Sequence, residues 1–132
     1  MSVQAAFVQA MAGKPEAAAV ATAAVAVWRD VSGVMSPIIG QSGFAALFKR
    51  SVHLASGVCP DLARAMAQTA DVTPFGALHD VLAQLPTAEA ARANGTLLQT
   101  FQDVLDTLIG VPLTARLLQP VWDTHIVQDT PS

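Results

Sequence analysis

The side chains able to do chemistry are few and far apart. Histidine is the side-chain type whose unperturbed pKa lies near neutrality, and the chain has three, His53, His79 and His125. His53 falls on the same outer helix face as Lys49 and Arg50, within "KRSVHLAS". An imidazole beside two cations is suited to binding an anion or accepting a phosphoryl group, and it is equally the ordinary content of a solvated face. His79 lies at the edge of the stripe Phe75–Leu78–Leu82, a boundary position, with Asp80 pointing elsewhere on the helix. His125 stands close to Asp123 in "WDTHI", but a metal site needs several converging ligands. One cysteine and three widely spaced histidines give no zinc spacing, so no metal is expected.

The acids add little. Asp103 and Asp106 are neighbours on one helical face, as a general acid–base pair would be. They lie opposite an apolar stripe, where a cleft able to shift one pKa is not expected. Cys59 precedes Pro60 and Asp61 near a helix start, a place that favours thiolate, but no base accompanies it. A structural thiol is the simpler reading. No glycine-rich phosphate loop, nucleophile elbow or His-Glu-x-x-His motif occurs, so no catalytic residue and no cofactor are expected.

The elements that position these residues are helical throughout. Val3, Phe7 and Met11 recur at helical spacing before Gly13, and Val20, Ala24, Val27, Trp28, Val31, Val34 and Met35 do so after Pro15. Ser42 is the expected N-cap of a helix carrying Phe44, Leu47, Phe48 and Val52 and ending before Gly57. Pro60 opens a piece bearing Leu62, Ala65, Met66 and Thr69. Thr73-Pro74 opens another, bearing Phe75, Leu78, Leu82 and Leu85. Thr87 caps a segment expected to end near Asn94-Gly95, and Thr96 with Gln99 has the form of a capping box for the next helix. That helix carries Leu97, Leu98, Phe101, Val104, Leu105, Leu108 and Ile109. Gly110 ends it, Pro112 starts the last helix, and Pro120 should kink or stop that one. The expectation is an all-α, single-domain bundle of six to eight uneven helices over residues 1–122, with a frayed polar tail over 123–132.

One internal echo is visible. "IIGQSGFAALFKR" and "LIGVPLTARLLQP" align Ile39 with Ile109, Gly40 with Gly110, Ala45 with Ala115 and Leu47 with Leu117. Either the chain contains a repeat, or helix–glycine–helix corners in alanine-rich proteins simply resemble one another.

Hydrophobic residues make up 52% of the 132-residue chain and charged residues only 13%, against a usual ~25%. The net charge of −3 gives no footprint for nucleic acid or an anionic membrane. A single cysteine fits a reducing, cytoplasmic setting. The apolar runs are broken by glycine, proline and polar residues, so no membrane span is expected. The apolar surplus points instead to an oligomer or a partner-binding face.

"SPIIGQSGFAALFKRSVHLA" and "FQDVLDTLIGVPLTARLLQPVW" together resemble a group of small bacterial all-helical proteins of no established function, over roughly residues 28–122. The resemblance implies a helical fold and a bacterial cytoplasmic source, and no catalytic residue. The leading expectation is a non-enzymatic regulatory or protein-interaction module, a homodimer joined through Leu113, Leu117, Leu118, Val121 and Trp122. The alternatives are an apolar ligand pocket lined by Phe44, Phe48, Phe101 and Leu105, and a phosphorelay protein using His53 with Lys49 and Arg50.

Overall fold

The computed structural model describes residues 3–12, 16–64 and 74–125. Among them there are five α-helices and no strand. The helices are α1 (Val3–Ala10), α2 (Ala17–Ala55), α3 (Pro74–Ala83), α4 (Thr87–Ile109) and α5 (Val111–His125), with one 3-10 turn at Pro60–Leu62. The expected boundaries at Gly13–Pro15, at Ala65–Thr69 and at Thr73 lie outside the described residues.

Five is fewer than the six to eight expected; one expected piece runs past Arg64, outside the described residues, and two features account for the rest. The first is Asn94-Gly95, which sits inside α4 rather than ending a helix. The Asn94 side-chain oxygen accepts a 2.9 Å hydrogen bond from the Trp28 indole N–H, and both side chains are fully buried. Gly95 lies so close to α1 that a Cβ there would stand 2.9 Å from the Gln4 carbonyl oxygen. Asparagine and glycine are thus present for a buried bond and a close approach, not for a cap. Thr96 and Gln99 form no capping box either. Thr96 accepts from the Gln4 side-chain amide at 3.1 Å, and Gln99 accepts from the Gln4 backbone N–H at 3.5 Å, so both dock α1.

The second is Gly40. Its φ of 81° and ψ of 161°, a conformation open essentially to glycine alone, break the helix where the sequence expects a new one to follow, but the second helix resumes directly after it rather than at Ser42, so the two run on as one element, α2. Trp28 and Phe48 show how sharp this bend is. Their ring centroids are 4.9 Å apart, whereas the same span of straight helix would separate them by about 30 Å. Pro37 sits just before the bend on an exposed surface, where the carbonyl it leaves unpaired can reach water. Pro120 is accommodated in the same way: it is exposed, and α5 runs through it to His125. The expected break at Pro120 and frayed start at Asp123 are therefore not seen, and the rest of the tail lies outside the described residues.

Gly110 repeats Gly40. Its φ of 92° and ψ of 150° place it in the same backbone region, between the end of α4 and the start of α5. The helical stretches begin at Ala17 and Thr87 and turn at Gly40 and Gly110, each pair at the same interval along the chain. Burial follows the same offset: Val27 and Leu97, Trp28 and Leu98, Val31 and Phe101, Met35 and Leu105, Phe48 and Leu118, and Val52 and Trp122 are all buried. The echo in the sequence is thus a repeat in the structure, two helix–glycine–helix units. The short helices are exchanged between them: α1 packs on α4 and α3 packs on α2.

The core is continuous through both units. Ala-rich turns favour α2 intrinsically, and its Val20–Met35 stripe buries against α4. At the centre the Trp28 ring meets Phe48 and Phe101 edge-on, at 4.9 and 5.2 Å. The Asn94 amide nitrogen and the Thr114 hydroxyl are buried with no hydrogen-bond partner among the described residues.

The roles given to the glycines and to Asn94 can be checked by stability. Gly110→Ala should cost about 1–3 kcal/mol through backbone strain. Gly33→Ala, in open space on a helical backbone, should be neutral or stabilising by up to ~1 kcal/mol. Asn94→Ala, which leaves the Trp28 N–H unpaired in the core, should cost about 1–3 kcal/mol. Urea denaturation followed by circular dichroism measures each of them.

Candidate functional site

The four residues expected to line an apolar pocket do come together, but they fill the space between their helices. Phe44, Phe48, Phe101 and Leu105 are all buried. Phe44 lies 6.1 Å from Phe48 and 5.8 Å from Phe101, centroid to centroid, and Phe75 of α3 closes the cluster edge-on at 5.4 Å from Phe48. Rings packed at these distances are core.

The five residues expected at an interface divide. Leu118, Val121 and Trp122 are buried in the chain's own core, and the Trp122 indole N–H donates to the Gln102 side-chain oxygen at 3.2 Å. They are consumed by the docking of α5 on both α2 and α4, which takes more apolar surface than a terminal helix with one neighbour would need. Leu117 is half-buried, and Leu113 alone of the five is exposed. The exposed apolar surface is instead gathered at the glycine corners. Ile38 and Ile39 flank Gly40, while Leu108, Val111 and Leu113 flank Gly110; Leu108 is 65% and Val111 61% exposed.

Lys49, Arg50 and His53 stand on the exposed face of α2 as expected, and none of their side chains has a hydrogen-bond or ion-pair partner among the described residues. Arg50 and Leu54 form one wall of an open groove of about 440 Å³. The opposite wall is Thr100, Asp103, Val104, Thr107 and Leu108 of α4. Asp103 lines the groove with one oxygen, Oδ1, accepting from the Gln99 amide at 3.0 Å. Composition could not locate this groove, because it depends on the bend at Gly40 that swings the end of α2 onto α4.

The other histidines have found neighbours the sequence did not indicate. The His79 Nε2 lies 3.5 Å from the Thr22 hydroxyl, and its Nδ1 lies 3.9 Å from an Asp80 oxygen, so Asp80 does not point away. A cavity of about 330 Å³ adjoins them, lined also by Val25, Arg29 and Phe75. Hydroxyl, imidazole and carboxylate stand in a row, but the imidazole–carboxylate separation exceeds hydrogen-bond length, and all three side chains are at the surface. His125 bonds through Nε2 to Asp30 of α2, not to Asp123, which accepts from Gln119. This pair ties the end of α5 to α2. No group of three or more His, Cys, Asp or Glu side chains able to hold a metal exists among the described residues. Cys59 is half-buried, its sulfur 3.8 Å from the Thr96 hydroxyl.

A comparison with protein-family models, curated proteins and solved structures found no match.

The His125–Asp30 tie is partly exposed, so its loss is expected to be mild. His125→Ala should cost no more than about 1 kcal/mol, and hydrogen exchange should show the loss concentrated in the last turns of α5.

Proposed function

We propose that this chain is a non-enzymatic interaction module that self-associates through the apolar surface at its glycine corners. One observation carries the reading. Of the eight large hydrophobic residues left exposed among those described, five flank Gly40 or Gly110. A helix corner presents side chains from two helices at diverging angles, and neither helix can cover them. Exposed apolar side chains clustered along the chain in this way are what a partner's surface would cover. A second copy is the simplest partner, since it brings the same surface.

The proposal has the protein in solution rather than across a membrane. By length and composition α2 is long and apolar enough to span one, with a mean hydropathy of 1.3 over its most apolar window, of which 28% is buried; a mostly buried core helix of a soluble protein passes the same test. The bend at Gly40 and the rings packed across it support the core reading. The unpaired thiol of Cys59 suits a reducing, cytoplasmic compartment.

Light scattering coupled to size exclusion tests this. The protein at micromolar concentration should run at twice its 13.7 kDa chain mass. The double substitution Val111→Asp with Leu113→Asp should return it to monomer without changing its helical circular dichroism, because both residues are exposed. A wild-type monomer at that concentration would reject the proposal.

A further inference from the structure

The groove between the end of α2 and the outer face of α4 differs from its counterpart in the other unit, and the difference points to a ligand. With Gly40 set on Gly110, Arg50 corresponds to Pro120, Ala55 to His125 and Thr100 to Asp30. In the second unit His125 bonds Asp30 and ties its helix down. On the α2 side that tie has no counterpart. Ala55 has no polar group, and the Thr100 hydroxyl donates to the Thr96 carbonyl within its own helix at 2.8 Å. The groove there is open, and at Arg50 it carries a cation where the other unit has a proline.

Arg50 is a guanidinium without a partner among the described residues, at the lip of a surface made by Leu54, Val104 and Leu108. The one acid in the groove, Asp103, is engaged by Gln99 and not by Arg50. A planar, permanently charged fork beside apolar side chains matches a carboxylate attached to an apolar body. A phosphate dianion suits it less well, because one arginine stands alone and Asp103 would repel the second charge. The size of about 440 Å³ falls within the ~300–1,000 Å³ of ordinary small-molecule clefts.

We infer that this groove binds a small monocarboxylate amphiphile, its head on Arg50 and its chain along Leu54, Val104 and Leu108. The groove and the proposed self-association surface meet at Leu108, which both flanks Gly110 and lines the groove, while Val111 and Leu113 belong to the self-association surface alone.

Isothermal titration of the full chain with decanoate, and with decanol as the neutral control, tests it. Decanoate should bind saturably, one per chain, and at least about tenfold more tightly than decanol, the factor expected of a charge-assisted hydrogen bond. Arg50→Gln should weaken decanoate by a similar factor and leave decanol unchanged, while Leu54→Glu should abolish the binding of both. The two residues are exposed, so neither substitution threatens the fold. The monomeric Val111→Asp/Leu113→Asp variant should bind decanoate as the wild type does, which separates failure of this inference from failure of the dimer. Absence of saturable binding, equal affinity for decanol, or indifference to Arg50→Gln would each overturn it.

Discussion

The bond between the Trp28 indole and the Asn94 side chain is the interaction around which the rest is arranged. An unpaired N–H or amide in so dry a place would cost more than a bond returns, so the two helices are held in one register. With Trp28 fixed, its two edges become the surfaces against which Phe48 and Phe101 pack. Phe48 can reach that position only if α2 folds back on itself, and the backbone at Gly40 permits it. The amide nitrogen left over on Asn94 is the residual cost of choosing a polar partner in a core. A hydrophobic pair of the same volume would bury as well but would tolerate sliding.

Much of this was legible in the residue pattern. The stripe Val3–Phe7–Met11 is buried as its spacing requires, as is Val20–Met35 save for the half-buried Val34, and Gly110 marks a real element end. What misled was punctuation. Asn-Gly and Thr-x-x-Gln are strong local signals for an end and a beginning, yet here they sit mid-helix, because α1 crosses at Gly95 and takes up the polar groups of Thr96 and Gln99. Tertiary contact outweighed local preference. The stop expected at Pro120 fails for a related reason: Pro120 is exposed, where the carbonyl it leaves without an intrahelical partner can reach water. The candidate interface failed at Leu118, Val121 and Trp122 because a sequence shows how much apolar surface a helix carries, but not how many neighbours it will have. The groove at Arg50 was beyond reach for a similar reason, since its two walls belong to distant parts of the chain and meet only through the bend.

The repeat gives these particulars a common frame. Two units built to one plan share glycine corners, helix lengths and burial, while their polar residues have diverged: Asn94 stands where the first unit has Ala24, and His125 where it has Ala55. The shared positions are those the fold needs. The divergent ones are where the two halves become complementary rather than alike, as in the Trp28–Asn94 bond, or where one surface is left open.

The exchange of short helices also dictates the order in which the chain can assemble during synthesis. Helix α1 leaves the ribosome ahead of the other helices, but its partners Gly95, Thr96 and Gln99 are made only with α4. Until then its buried face, Val3 and Phe7, has nothing to cover it. The α2 hairpin can form early, but it waits for α3 to seal it and for Asn94 to satisfy Trp28. Neither half is therefore a folding unit by itself. The nascent chain must carry exposed apolar surface through most of its length, and then close in one late, cooperative step once α4 has emerged.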